Sequence, residues 1–230
     1  MSRSPSTLDQ LLTRFGTELR DLVAARDERI ASLEQALETA RNPILPVVMT
    51  LVELLEGRDE FTYGHSRRIA HLSVQLATHL GWPPERIRML HIAGLLHDIG
   101  MVIVPDAVLQ KEGKYTPEEF ETMKLHASTG GRILHRLGFI GEEIELWVQH
   151  HHERYDGAGY PDGLAGDQIP VGARIIALAD AYDAMVSPRR YKQRLTHFVA
   201  LDEIGICGGR QFDPQLALAF QEAFQAPPEY

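Results

Sequence analysis

The stretch Leu95-Leu96-His97-Asp98-Ile99-Gly100 decides how the rest of the chain is read. Upstream of it Ile87, Leu90, Ala93, Gly94 and Leu96 make an apolar run that predicts a buried helix ending in the adjacent His97–Asp98 pair. Gly100 is expected to close the turn as a helix C-cap, because glycine takes the left-handed conformation at little cost. The last carbonyls of a helix carry partial negative charge, which favours a cation nearby. Imidazole beside carboxylate at such a place is either one corner of a divalent metal site or a buried hydrogen bond that only holds the helix. The dipeptide leaves both readings open, and the other helices have to decide.

Working outward, a helix is predicted over residues 62–80 with the apolar stripe Ile69, Leu72, Leu76 and Leu80. His65 lies four residues before Ile69 on that face, whereas His71 and His79 fall on the other side. Thr116-Pro117-Glu118-Glu119 is a strong helix start, with Thr116 as cap, Pro117 in the first turn and Glu119 completing a capping box. The helix that follows presents Phe120, Met123, Ala127, Gly130 and Leu134 on one face. His126 points inward with them and His135 outward. A helix over 142–152 buries Ile144, Trp147 and Val148; His151 follows Ile144 by seven and His152 follows Val148 by four, so both reach its buried side. The glycine-rich loop Glu153–Gly163 comes next, and a loop of this length beside clustered histidines points to function. Ile169-Pro170 opens a helix through Val186 in which Asp180 follows Ile176 and Ala177 by four and three. Its carboxylate therefore faces the core and needs a metal or a cation to compensate it.

The remaining segments, 47–57, 198–206 and 214–224, also read as helices, and no period-two strand pattern occurs, so the expected fold is all-α. Residues 7–42 read as one long helix with a heptad seam of Leu8, Leu12, Phe15, Leu19 and Leu22 that resumes at Ile30, Leu33, Leu37 and Ala40. It is either a single amphipathic helix or a parallel dimeric coiled coil that makes the chain a homodimer. Asn42-Pro43 and Pro46 mark a boundary, giving an N-terminal segment 1–42 and a domain 43–230. A net charge of −9 argues against a nucleic acid partner. No apolar run is long enough to span a membrane and no signal peptide is seen. Cys207 is the single cysteine, which suits a reducing, cytoplasmic setting.

Five predicted helices thus offer inward groups: His65; His97 with Asp98; His126; His151 with His152; and Asp180. A structural zinc needs four ligands and favours cysteine, which this set lacks. Seven His and Asp donors suit two divalent metal ions of octahedral preference, iron or manganese, with Asp98 able to bridge them. Two ions about 3.5–4 Å apart are suited to in-line displacement at phosphorus through a water of lowered pKa. Arg189 and Lys192, in the basic turn 187–192, could contact the same phosphate.

These residues resemble the HD-GYP family of HD-superfamily phosphodiesterases. The likeness covers roughly residues 47–225 and is carried by His97-Asp98, by His151-His152-Glu153-Arg154-Tyr155-Asp156-Gly157-Ala158-Gly159-Tyr160-Pro161, and by Gly64-His65-Ser66, Lys124-Leu125-His126, Ala179-Asp180 and Phe212-Asp213-Pro214. The resemblance implies a helical HD fold and hydrolysis of cyclic di-GMP to pGpG, and often on to GMP. It assigns metal ligation to His65, His97, Asp98, His126, His151, His152 and Asp180, with His97 and Asp98 at the catalytic centre, and substrate contacts to Asp183, Arg189 and Lys192. Three positions depart from the family pattern. Met101 stands where a lysine is usual, and losing one charge-assisted contact costs about 1.5–3 kcal/mol. Phe61 stands where members with a third metal carry glutamate, which implies two ions. Arg190 replaces the proline of the usual Arg-Pro-Tyr. Met101 keeps open a competing reading, a slow or silent metal-bearing domain that senses cyclic di-GMP or engages a signalling partner. An HD hydrolase for another nucleotide is a third.

Overall fold

The computed structural model describes residues 15–17, 19–30, 32–33, 45–58, 63–138, 140–187 and 194–228. The chain divides into two compact units, 1–47 and 48–230. Helix α1 runs Leu45–Glu56, so Pro46 occupies its first turn, where a missing N–H costs nothing, instead of breaking it. In the first unit, the described residues of 15–33 are helical, and the seam positions Phe15, Leu19, Leu22, Ile30 and Leu33 are exposed. Leu8, Leu12, Leu37 and Ala40 of the same seam lie outside the described residues.

The second unit is built from α1 and eight further helices among the described residues: α2 (His65–His79), α3 (Pro84–Leu96), α4 (Asp106–Leu109), α5 (Pro117–Leu137), α6 (Glu142–Gln149), α7 (Val171–Val186), α8 (His197–Ile206) and α9 (Pro214–Ala223). Two short 3-10 helices, Ile99–Ile103 and Gly166–Gln168, join them, and the only β feature among the described residues is an isolated bridge between Gly208 and Phe212. The capping box of α5 forms as expected. Helix α2 packs on both α3 and α7, while α6 packs on α3, α5 and α7. Ile69, Leu72, Leu76, Leu90, Leu96, Leu134, Trp147, Ile175 and Ile176 fill the space between these helices. Phe120 departs from its expected inward place and is exposed, packing edge-on against Tyr160 with ring centroids 6.4 Å apart.

Gly100 serves differently from the expected cap. It lies inside the 3-10 helix Ile99–Ile103 and does not take positive φ; α3 ends at Leu96, with His97 still in right-handed helical geometry. A Cβ on Gly100 would stand 1.9 Å from the carbonyl oxygen of His126 and 2.6 Å from the Gly130 nitrogen. The glycine is required because the turn after His97–Asp98 lies directly on the backbone of α5 beside His126. The fold thereby brings three of the expected donors, His97, Asp98 and His126, onto touching elements.

Candidate functional site

Three histidines of the cluster are held by one local device. Their Nδ1 atoms lie 2.9 Å from Gly94 O for His97, 2.6 Å from Met123 O for His126 and 2.7 Å from Val148 O for His151, each carbonyl three residues back. A carbonyl only accepts, so each Nδ1 carries the proton and each Nε2 keeps its lone pair. All three Nε2 atoms are buried and have no hydrogen-bond partner. A buried, unsatisfied acceptor is costly, and three of them together need an explanation. Pinning the far ring nitrogen is also how metal-ligating imidazoles are oriented.

The three lone pairs converge with Asp98. His97 Nε2 lies 3.5 Å from Asp98 Oδ2 and His126 Nε2 lies 3.5 Å from Asp98 Oδ1, so the two carboxylate oxygens face different histidines. Two donor groups result, His65–His97–Asp98 and Asp98–His126–His151–His152, with the potential ligand atoms of each group within 4.8 Å of one another. Asp98 belongs to both. Asp180 joins the first group, its Oδ1 3.4 Å from His65 Nε2, and is half-buried, not fully inward as the helix face predicts. All seven expected ligands thus come to one place. The donor set and the orphaned nitrogens fit divalent metal ions.

Electrostatics separates the two groups. Burial opposes ionisation of Asp98, but His97, His126, His65 and His151 around it hold its carboxyl well below the ordinary range. Burial, reinforced by His152, His97 and His126, pushes His151 well below an ordinary imidazole; burial and His126 bring His152 down to about 4. Both rings stay neutral and available as ligands at neutral pH. His65 goes the other way: burial works against its charge, but the hydrogen bond to Asp183 and the nearby Asp180 and Asp98 carboxylates raise its pKa.

Asp183, expected from the family likeness to contact substrate, is buried behind His65. Its side chain is 2% exposed. Oδ2 accepts from His65 Nδ1 at 2.8 Å, Arg68 donates to both oxygens at 2.6 and 3.0 Å, and Ser187 Oγ donates to Oδ1 at 2.8 Å. The carboxylate is fully engaged in orienting His65. Arg189, Lys192 and Phe61 lie outside the described residues. Met101 is half-buried and lines a cavity of about 40 Å³ with His65, Asp98 and Arg58.

Helix α6 is shorter than expected, ending at Gln149, so His150–His152 occupy the turn after it. His150 is satisfied at both nitrogens, Nδ1 on Leu146 O and Nε2 on Asp162 Oδ2, each at 2.9 Å, and contributes no lone pair. Sequence reading passed over Glu153. It is buried and accepts through Oε1 from the Asp162 and Gly163 N–H groups at 2.7 and 3.0 Å, folding the loop back on itself. A Cβ on Gly159 would come 2.3 Å from Arg154 N, so only glycine lets the loop close this tightly. The loop then lays the Tyr160 ring on His152, centroids 4.9 Å apart. Arg68, three residues after His65 on α2, meets Asp183, three after Asp180 on α7. The loop contacts had no periodic signal.

Comparisons with known proteins agree with this geometry. A family model described as HD domain matches residues 49–216. The chain is 39% identical over 206 residues to the cyclic di-GMP phosphodiesterase response regulator RpfG of Xanthomonas campestris pv. campestris, covering 86% of this chain and 54% of the relative. It is 41% identical over 181 residues to a cyclic di-GMP phosphodiesterase of Thermotoga maritima, covering 77% and 48%. The chain therefore spans about half the length of these curated relatives. Among solved structures, a cyclic GMP-AMP specific phosphodiesterase of Vibrio cholerae (V-cGAP3) superposes with a TM-score of 0.59 at 20% identity, covering 79% of this chain and 48% of that one, which supports the fold.

Proposed function

The chain belongs to the HD-domain family, in its HD-GYP form, and we propose from that premise that it is a metal-dependent phosphodiesterase hydrolysing cyclic di-GMP to pGpG, GMP or both. The observation that carries this reading is the set of buried, unpartnered Nε2 atoms of His97, His126 and His151 around the two-faced Asp98 carboxylate. His65, His97, Asp98 and Asp180 would hold one divalent ion, and Asp98, His126, His151 and His152 a second; iron and manganese both suit the donors. Bound there, the ions would lower the pKa of a water and neutralise charge developing on the phosphoryl oxygens.

The chain's own residues prepare that chemistry. Main-chain carbonyls fix the tautomers of His97, His126 and His151, and Asp183 fixes that of His65, so four lone pairs are aimed before substrate arrives. Tyr160 covers one face of His152 and limits water there. Arg189 and Lys192 are assigned to the substrate phosphates. Asp183, fully engaged with His65 and Arg68, acts as a positioning residue instead. Met101 lowers the rate without removing a ligand, so a silent sensor is not favoured by a complete donor set. The exposed seam positions Phe15, Leu19, Leu22, Ile30 and Leu33 support a homodimer formed through the N-terminal helix. A monomeric mass in solution would refute the dimer.

The test of activity is direct. Protein loaded with iron or with manganese is incubated with cyclic di-GMP and the products are separated. Appearance of pGpG or GMP is expected; tight binding without turnover with either metal would sink the enzyme reading.

A further inference from the structure

The donor cluster opens on one side into a cavity of about 390 Å³, a size typical of small-ligand sites. His151, His152 and Asp180 stand on its wall with Ala177, Ala181 and Ala184 of α7, whose short side chains leave space a flat ring can enter. Glu203 and Cys207, from α8 and its C-cap, and Gln211 also line it, as do Glu153, Arg154, Met185 and Phe212. Among the described residues the exposed Glu203 carboxylate meets the Cys207 thiol, Sγ to Oε1 3.8 Å, and pairs with no lysine or arginine. This part of the wall is tied to the loop that follows the metal ligands. Tyr155 N donates to Gln211 O at 3.2 Å and Asp156 N to Arg210 O at 2.8 Å.

We propose that this cavity is a purine subsite for the nucleotide and that Glu203, with Gln211, selects guanine over adenine. The inference rests on the phosphodiesterase reading above for the nature of the ligand. Guanine presents N1–H and its 2-amino group side by side, two donors that one carboxylate accepts together. Gln211 can donate its amide to the neighbouring O6. Adenine presents an unprotonated N1 at the same edge, which faces the carboxylate as acceptor against acceptor. One well-formed bidentate pair discriminates between bases by roughly tenfold to a hundredfold.

Binding of the linear dinucleotides pGpG and pApA to the metal-loaded full chain, measured by calorimetry, tests this separately from turnover. Wild-type protein should prefer pGpG by at least about tenfold. Glu203→Gln should lose most of that preference with metal content and melting temperature unchanged, and Glu203→Ala should behave alike. Equal affinity for the two dinucleotides in the wild type, no binding of either, or an undiminished preference in both variants overturns the proposal. Cyclic di-GMP turnover is followed in parallel. Guanine preference that depends on Glu203 without turnover would fail the enzyme reading alone; turnover with preference intact in Glu203→Gln would fail the base subsite alone.

Discussion

The two halves of the donor cluster share Asp98 and are held by different physics. On one side His126 and His151 are locked by neutral carbonyls three residues back in their own chain segments, and the buried rings of His151 and His152 have lowered pKa values. On the other, His65 is fixed from another helix by the Asp183 carboxylate, itself clamped by Arg68, and its pKa is raised. Local carbonyl pinning costs no buried charge. Carboxylate pinning adds basicity to the ligand, but only while a distant ion pair is intact. The halves should therefore respond differently to substitution and to pH, while Asp98 should fail for both.

The largest effect is expected at Asp98. Removing one member of a buried charged set costs about 3–5 kcal/mol, which is about two to four decades in rate when felt in the transition state. Asp98→Ala should empty both donor groups, read as metal content near zero, whereas His126→Ala leaves the His65–His97–Asp98 group intact and retains part of the metal. Equal metal retention in the two variants would break the idea of a shared carboxylate.

Next comes the pH dependence of the metal-free protein. His152 has a folded-state pKa of about 4, against about 6.5 when unfolded, so between those values the unfolded chain binds the proton and the fold does not. Stability must fall as pH falls through that window, by about 3 kcal/mol from His152 at full effect, and His151 acts in the same direction. His65 has the opposite sign: its contribution is complete below about 6.5 and is lost as pH rises through its raised folded value. Urea midpoints should peak near neutrality and decline on both sides. A flat profile from pH 6.5 to about 4.5 would remove the distinction between the halves.

Much of this site was legible in the chain because helices repeat. His65, His126, His151 and Asp180 declare themselves by standing three, four or seven residues from apolar neighbours; six of the named donors form the two groups and Asp180 adjoins them at His65. That His151 and His152 arrive from a turn, with α6 ending at Gln149, did not spoil the reading, since the turn keeps both beside the cluster. What resisted was non-local. The bond that ties Asp183 to His65 joins residues 118 apart in sequence. Gly100 looks like a helix terminator from its neighbours, yet its reason lies in the backbone of α5. Glu153 ties an aperiodic loop that carries no pattern to read.

Asp183→Asn comes third in size. It keeps the volume but removes the charge that orients His65 and pairs with Arg68, and loss of such an outer partner costs about tenfold to a hundredfold in metal affinity. The loss should be confined to one class of bound metal in a competition titration. The same variant should flatten the alkaline limb of the stability profile and spare the acid one. Weakening of both metal classes alike would mean that the halves are not independent.

The smallest effect concerns Met101, where the two halves meet the missing cation. Arg58 already reaches this turn: Nη1 donates to Met101 O and Nη2 to Val104 O, each at 2.7 Å. Its charge is matched by Asp106, whose Oδ1 accepts from Nε at 3.2 Å and from Nη2 at 2.5 Å. A guanidinium committed to two carbonyls and a carboxylate holds the turn after Asp98 in place but offers little free charge to a phosphate. Met101→Lys adds an uncommitted ammonium beside Asp98 and should raise turnover by about tenfold, the lower end of one charge-assisted contact. Because no metal donor changes, metal content should stay constant while kcat rises. An unchanged rate would mean that the field of the two donor groups, with Arg58 behind them, already meets the need that the family's lysine serves.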